Sequence, residues 1–271
     1  MRIQENQIRE VQDIAGRLLL DKQVAAVVGL FSNHGHVGPH LFSSADDLPG
    51  LVLEPRYPLA LDCRTLLSNF PEDRLGVVVR GCDERALIEM AKLQQVEMER
   101  LVFIGVACSE DQARQCACEK PYPRRIDVGE KVDGLSPLDN SKVRELLDQD
   151  MAARLAFWQQ EFSRCIKCYG CRNACPVCIC DECLLEETCW VEGGQIPPHT
   201  SFHLIRTFHI ADKCVGCGAC EAACPMEIPL TILNKLVREK LKELFHYEPG
   251  MDVEQRSPLI TTLEEGPIHG L

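Results

Sequence analysis

The stretch CIKCYGCRNACP at residues 165–176 has a second copy of the same form, CVGCGACEAACP, at residues 214–225. In each copy three cysteines are separated by two residues, and a fourth cysteine stands directly before a proline. A run of this kind binds three corners of an iron–sulfur cube, and its fourth cysteine reaches the other cube of a pair. The two copies predict an α-helical dicluster ferredoxin-like domain over residues 141–250.

The spacing assigns eight cysteines to two [4Fe–4S] clusters. The predicted ligands of the first cluster are Cys165, Cys168, Cys171 and Cys224. The predicted ligands of the second cluster are Cys214, Cys217, Cys220 and Cys175. We expect Gly170, Gly216 and Gly218 to let the backbone turn tightly and direct amides at sulfur. Structural zinc is the alternative for four thiolates, but two complete copies that end in Cys-Pro favour iron–sulfur clusters.

The composition narrows the class of protein. The number of cysteines is unusually high, with 17 in 271 residues. Residues 1–20 are charged and lack the apolar core of a signal peptide, and no apolar run approaches the roughly 18 residues of a membrane span. We therefore expect a cytoplasmic protein whose thiols serve metal or redox chemistry. The net charge of −12 argues against binding to nucleic acid, which needs a basic face.

Residues 1–140 are predicted to form an α/β domain with parallel strands. Apolar runs bounded by turn residues predict strands at residues 24–30, 51–54, 75–80 and 101–106, with a helix from Asp83 between the last two. A strand, a helix and a strand in this order form a βαβ unit with parallel strands. The Pro- and Gly-rich residues 120–137 predict a linker, and residues 251–271 predict an extended tail.

Two amphipathic helices are predicted beside the cysteine motifs. The first has Ser141 as its cap, and its apolar stripe is expected to pack against the protein. This stripe consists of Val143, Leu147, Met151, Leu155, Trp158 and Phe162. The second helix follows the second motif, with a stripe of Leu230, Leu233, Val237, Leu241 and Leu244.

Four N-terminal cysteines are candidate ligands of a further cluster. Cys82 precedes a predicted helix and Cys108 ends a predicted strand, so both fall at the carboxyl edge of a parallel sheet, where ligand sites gather. Cys116 and Cys118 follow closely enough to reach the same edge, and Cys63 is a spare candidate. The alternative for Cys82 is a lone thiol with a pKa lowered by the helix N-terminus.

The cysteines between the two motifs have three interpretations. Cys178, Cys180 and Cys183 lie within six residues, and Cys189 follows them. They are inert core thiols, ligands of another cluster, or reactive thiols. The close spacing favours metal ligation, so the cofactors expected are two [4Fe–4S] clusters, with one or two more from the additional cysteines.

Residues 32–40 contain three histidines that look like a metal-binding box: His34, His36 and His40. Because Gly and Pro separate them and no cysteine or carboxylate is interleaved, an irregular solvated loop is the favoured interpretation. The sequence contains no glycine-rich dinucleotide motif, no phosphate-binding loop and no nucleophile elbow. A flavin site is therefore not visible in the sequence.

Three stretches together resemble a known family: residues 77–88 (VVVRGCDERALI), 165–180 (CIKCYGCRNACPVCIC) and 214–229 (CVGCGACEAACPMEIP). From about residue 15 onward the chain is similar to the beta-subunit family of deazaflavin-linked (coenzyme F-420) hydrogenases and formate dehydrogenases. Within that family it resembles the bacterial dicluster branch found beside heterodisulfide-reductase-like proteins. The resemblance implies an electron-transfer subunit between a dehydrogenase or hydrogenase subunit and a flavin- or heterodisulfide-reductase-like subunit.

Two other functions are compatible with the sequence. The first is a flavin-containing oxidoreductase subunit that acts on a deazaflavin or nicotinamide hydride carrier, and it predicts bound flavin. The longer members of the family that the chain resembles carry a flavin, whereas no extended flavin-binding domain follows the clusters here. The second is a structural or regulatory cluster protein, and it predicts clusters that low-potential donors do not reduce.

Overall fold

The structure is a computed structural model that describes residues 2–180 and 182–259. The chain divides into two compact units, Met1–Leu135 and Ser136–Leu271. Among the described residues, no helix combines the length and the apolar character needed to cross a bilayer.

A five-stranded mixed sheet organises the first unit. Its strands are β1 (Ala26–Asn33), β2 (His36–Phe42), β3 (Leu51–Val52), β4 (Leu75–Val79) and β5 (Leu101–Gly105). Their order is β2-β1-β4-β5, and β3 pairs with β1. β4 runs parallel to β1 and β5, whereas β2 and β3 run antiparallel to β1. The predicted parallel strands are confirmed, and the antiparallel hairpin makes the sheet mixed.

The first unit also contains helices. They are α1 (Arg2–Leu20), α2 (Ala60–Asn69), α3 (Gly81–Lys92) and α4 (Glu110–Cys116), with 3-10 turns at Ala45–Gly50 and Met98–Arg100. The core between α1 and the sheet contains Val11, Val27, Phe42 and Ile104, all of them fully buried. Each such side chain contributes about 1.5–3 kcal/mol by its burial. This packing holds the carboxyl ends of β4 and β5, which Cys82 and Cys108 follow.

The histidine-rich segment forms a hairpin. His34 and Gly35 are the two-residue turn between β1 and β2, and both have positive φ, 48° and 81°. A type I′ hairpin turn requires positive φ at both positions. His36 and His40 lie in β2, so the expected irregular loop is wrong. Pro39 is tolerated within β2 because β2 is an edge strand.

The predicted linker at residues 120–137 is largely part of the first unit, which extends to Leu135. Val128 is buried and forms a β-bridge with Val106 just after β5. The Oδ2 atom of Asp127 accepts a hydrogen bond of 2.8 Å from the amide of Gly105. The expectation of a linker is wrong here because this segment pairs with polar backbone groups at the end of β5.

The regular elements described in the second unit are helices. They are α5 (Ser141–Asp148), α6 (Met151–Phe162), α7 (Gly170–Asn173), α8 (Ser201–Ile210), α9 (Ala219–Ala222) and α10 (Leu230–Phe245), with a 3-10 turn at Pro137–Asp139. α10 buries Leu230 and Leu241, whereas Leu244 is largely exposed. Residues 251–259 contain no helix or strand, and the rest of the expected tail lies outside the described residues. The assignment of a helical dicluster domain to the whole unit stays a prediction.

The single helix predicted before the first motif is two helices. Asn140, rather than Ser141, caps α5, and its Oδ1 accepts bonds from two backbone amides of the first turn. Asp150 caps α6 by accepting a bond of 2.8 Å from the amide of Ala153, so a new helix begins there. The exposed members of the predicted stripe are Leu147, Met151 and Leu155. The continuous buried stripe is therefore wrong, because a new helix begins after Asp150 and the stripe residues around this break are exposed.

Candidate metal centres

A partly open cavity of about 360 Å³, including space open to solvent, lies in the second unit. The cysteines that line it are Cys175 from the first motif and Cys214, Cys217 and Cys220 from the second. Arg206 and Asn234 also line it. The four cysteines predicted to share the second cluster therefore face one common space.

The two motifs have the same local backbone. In the first motif Lys167 and Tyr169 have positive φ, 54° and 59°, and in the second the equivalent Gly216 and Gly218 have 67° and 77°. A short helix follows each pair, α7 or α9, and brings in the third cysteine of the motif. Gly170 is not a turn residue, contrary to the prediction. It allows a close approach, because an added Cβ would lie 2.8 Å from a backbone oxygen of the second motif.

The thiols of the first predicted set lie close enough to act on one another. Burial raises the pKa of Cys165, and the neighbouring Cys171, Cys168 and Cys224 raise it further. Burial also raises the pKa of Cys171, and Cys168 and Cys224 again contribute. Cys171 is buried whereas Cys168 is exposed. One side of this set therefore reaches the surface.

The second predicted set is more deeply buried. Burial raises the pKa of Cys217 to about 12, and Cys175, Cys214 and Cys220 contribute to the same shift. Burial likewise raises the pKa of Cys220 to about 12. Crowded thiolates repel one another, and a positively charged metal core among them removes that penalty. The donor set therefore fits an iron–sulfur core chemically.

Hydrogen-bond donors point at several cysteine sulfurs. The amides of Lys167 and Gly170 lie 3.4 and 3.5 Å from sulfurs of the first set. In the second set, the Nδ2 atom of Asn234 lies 3.6 Å from the Sγ atom of Cys220. Such donors stabilise charge on thiolate sulfur and tune bound clusters.

In residues 2–180 and 182–259, no three His, Cys, Asp or Glu side chains form a group that could hold a single metal ion. Tetrahedral zinc has Zn–S bonds of about 2.3 Å, which places its sulfurs about 3.8 Å apart. A four-iron cube binds its thiolates at separate corners and spaces them more widely. The evidence that cysteines of the second unit lie together comes from the cavity that they line and from the effects of their thiols on one another's pKa.

The four N-terminal candidate cysteines also lie together. Burial raises the pKa of Cys108 to about 12, Arg80 opposes this shift, and Cys82, Cys118 and Cys116 add to it. Cys82 stands at the start of α3, which follows β4, and Cys108 follows β5. Cys82, Cys116 and Cys118 therefore lie near enough to Cys108, at the carboxyl edge of the two parallel strands, to act on its thiol.

Arginines surround this N-terminal set. The Nη1 atom of Arg56 lies 3.5 Å from the Sγ atom of Cys82. The Nη2 atom of Arg85 lies 3.9 Å from the Sγ atom of Cys118. The positive charge of Arg80 lowers the pKa of Cys108, against the effect of burial. Cys82 thus has arginine and cysteine neighbours, and both interpretations of it, as a cluster ligand and as a thiol with a lowered pKa, stay predictions.

Cys63, the spare candidate, has a different environment. It is fully buried in α2. Burial raises its pKa, and the neighbouring Asp83 and Asp62 raise it further. Within the described part of the chain, the charged groups that act on this thiol are carboxylates and not cysteines.

The cysteines between the motifs lie in more than one place. Cys178 packs beside Cys175 and forms a side-chain hydrogen bond with it. Cys183 lies beside Tyr169 and Arg172, in a different hydrophobic cluster. Cys180 and Cys189 are exposed. Metal ligation by Cys178, Cys180 and Cys183 as a set stays a prediction.

Known proteins match this chain in two comparisons. Residues 208–229, which include the second motif, match the 4Fe-4S binding domain family. The chain is 38% identical over 135 residues to the F420-dependent formate dehydrogenase subunit beta of Methanocaldococcus jannaschii. It is 36% identical over 135 residues to the F420-dependent formate dehydrogenase 1 subunit beta of Methanococcus maripaludis. The resemblance to the beta-subunit family is confirmed.

Each alignment covers part of this chain and part of the beta subunit that it matches. Each alignment covers 49% of this chain. It covers 36% of the Methanocaldococcus protein and 35% of the Methanococcus protein. The chain thus spans about a third of the length of the beta subunits that it matches.

The sequence interpretation missed two residues beside the cysteine sets, His203 and Arg206. They lie one turn apart on α8 and are 2% and 4% exposed. The ring of His203 stacks on Phe162 with centroids 4.1 Å apart. The pattern that could have revealed them is polar residues at three-residue spacing on the apolar face of a helix.

His203→Phe is expected to make the second unit less sensitive to acid. Burial, with Arg206 nearby, lowers the pKa of His203 from 6.5 to about 4, so the unfolded chain binds a proton that the fold excludes. The stability that depends on neutral His203 is full above about pH 6.5 and is lost as the pH falls toward 4. At about pH 5.5 the loss is about 1 kcal/mol. Phenylalanine can keep the stack on Phe162 without binding a proton.

Denaturant midpoints at about pH 7.5 and about pH 5.5 measure this effect. The parent protein should lose more stability than His203→Phe between the two conditions. Equal losses in the two proteins would contradict the assigned burial of a neutral imidazole.

Proposed function

We propose that this chain is an iron–sulfur electron-transfer subunit. It relays electrons between a dehydrogenase- or hydrogenase-type partner and a flavin- or heterodisulfide-reductase-type partner. The observation that supports this most strongly is the cavity in which Cys175 of the first motif joins Cys214, Cys217 and Cys220 of the second. Two interleaved cubes require such an exchange of the fourth ligand, whereas independent zinc loops do not.

Two groups of ligands are proposed. The first cluster would be held by Cys165, Cys168, Cys171 and Cys224, and the second by Cys175, Cys214, Cys217 and Cys220. Bound there, [4Fe–4S] clusters supply one-electron redox chemistry. Cys168 is exposed, so the first cluster would lie near the surface, where a redox partner can approach. Cys175, Cys214 and Cys220 of the second group are buried, and the exposure of a cluster to solvent is one factor that sets its potential.

We propose a third cluster site in the first unit, held by Cys82, Cys108, Cys116 and Cys118. It is supported by the closeness of the four thiols at the edge of the parallel strands. The three arginines Arg56, Arg80 and Arg85 supply positive charge that would balance thiolates there. With such a site, each of the two units would contain a cluster that can accept and pass on electrons.

The partner proposal follows from the named relatives, which are beta subunits of formate dehydrogenases. A catalytic dehydrogenase or hydrogenase subunit is therefore the proposed partner on one side of this chain. A cytoplasmic location is proposed from the many free thiols, which persist in a reducing compartment.

The experiment that tests this function is a count of iron, acid-labile sulfide, zinc and flavin per chain after anaerobic purification. We expect about twelve irons and about twelve sulfides, four of each for every proposed cluster. About eight of each would retain the two-cluster relay and remove the third site. Zinc in place of iron would overturn the function, and one flavin per chain would favour the reductase alternative.

A further inference from the structure

Arg206 contacts both proposed cluster groups of the second unit. Its Nη2 atom donates a hydrogen bond of 2.7 Å to the backbone oxygen of Cys171, a proposed ligand of the first cluster. The same side chain lines the cavity that contains the four proposed ligands of the second cluster. One side chain is therefore common to both groups.

The charge of Arg206 is buried and only partly compensated. Arg206 is 4% exposed, and its Nε–H has no hydrogen-bond partner among the described residues. A buried cation without a counter-charge is strongly unfavourable. The position of Arg206 is therefore explained if negatively charged groups bind on both sides of it.

We infer that Arg206 is a shared positioning residue that stabilises the reduced state of both clusters. This inference rests on the proposed two-cluster function. A cube with four thiolate ligands has a net negative charge, and reduction adds one more negative charge. A fixed positive charge nearby favours the reduced form and raises the reduction potential. Since Arg206 faces both groups, it also lessens the repulsion between two reduced clusters.

Arg238 provides a contrast, because its contacts are with the second group. A Cβ added at Gly216, in the loop of the same group, would lie 2.5 Å from the Nη1 atom of Arg238. Arg238 also forms a long ion pair of 3.8 Å with Glu248, so part of its charge is compensated. Arg206 and Arg238 are thus predicted to differ in the number of clusters they influence.

The test is a redox titration of the purified full chain, followed by electron paramagnetic resonance. In Arg206→Gln the equilibrium constant for one-electron reduction should fall about tenfold at both clusters, which corresponds to about 59 mV each. In Arg238→Gln the potential of the second cluster should fall while that of the first stays unchanged. In Arg144→Gln, a control at an exposed ion pair with Asp139, both potentials should stay unchanged. Unchanged potentials in Arg206→Gln, with full iron content, would overturn the inference.

Arg206→Lys keeps the test decisive if Arg206→Gln does not retain its iron. Lysine keeps the positive charge but lacks the guanidinium Nε–H, so potentials close to those of the parent protein are expected. In chains labelled with ¹⁵N-arginine, the parent should show an arginine nitrogen coupling at the reduced clusters that is weaker in Arg206→Lys, where Arg238 and Arg172 are the labelled residues still nearby. Identical spectra from the two labelled proteins would overturn the inference. Iron content reports on the clusters themselves, so failure of the proposed function is recognised separately.

Discussion

Cys171→Ala and Cys175→Ala are expected to remove different clusters, although the two cysteines stand four residues apart in one motif. Cys171 acts on the thiols of Cys165, Cys168 and Cys224, whereas Cys175 lines the cavity of the second group. Each substitution removes one thiolate corner, and each should cost about four irons per chain. Iron and acid-labile sulfide measured on anaerobically purified protein check the losses.

Double variants determine which cysteines share a cluster. Cys171→Ala with Cys224→Ala should lose about four irons, no more than either single variant, because both residues serve one cube. Cys171→Ala with Cys175→Ala should lose about eight irons. Cys189→Ala, at an exposed cysteine outside both motifs, is the control and should lose none. Losses of iron that follow the sequence motifs rather than these pairs would contradict the interleaved assignment.

Cys108→Ala is expected to remove about four irons while leaving both clusters of the second unit in place. Cys108 lies among Cys82, Cys116 and Cys118, with the charge of Arg80 beside it. Since its thiol is at the centre of these interactions, its loss should prevent assembly of the third cluster. Iron content and the resonance spectrum of the remaining clusters measure the effect.

Cys63→Ala is the matched control for Cys108→Ala. Cys63 is a buried thiol of the same unit whose charged neighbours are Asp83 and Asp62. Its substitution should leave the iron content unchanged. Equal iron content in Cys108→Ala and the parent protein would exclude the third cluster. A loss of iron in Cys63→Ala would show that the ligand set is wrong.

The parts of the fold that depend on strong local patterns could be predicted from the sequence. β4 and β5 are short apolar runs, and their parallel pairing follows from the helix that connects them. The hairpin of β1 and β2 was missed because His34 adopts positive φ, which is uncommon for a residue other than glycine. The break between α5 and α6 was missed because the apolar periodicity continues through Asp150, whose carboxylate caps a new helix.

In the candidate sites, too, features that depend on neighbouring residues in the sequence could be predicted, and features that depend on residues far apart in the sequence could not. Cysteine spacing identified the motifs, because a short loop can supply three ligands of one cube only at such intervals. Arg206 could not be placed in this way, because its importance depends on Cys171 and on a cavity lined by distant residues. A buried charge becomes recognisable only when the groups around it are known.

The most direct test of the electron-transfer function is the number of electrons that the purified chain takes up and returns. In an anaerobic titration with dithionite, followed by reoxidation, the two clusters of the second unit should accept and return about two electrons per chain. The third cluster should add about one more, which Cys108→Ala should remove. A chain that contains iron and sulfide in the expected amounts, but takes up no electrons reversibly, would contradict the electron-transfer function and favour a structural role for its clusters.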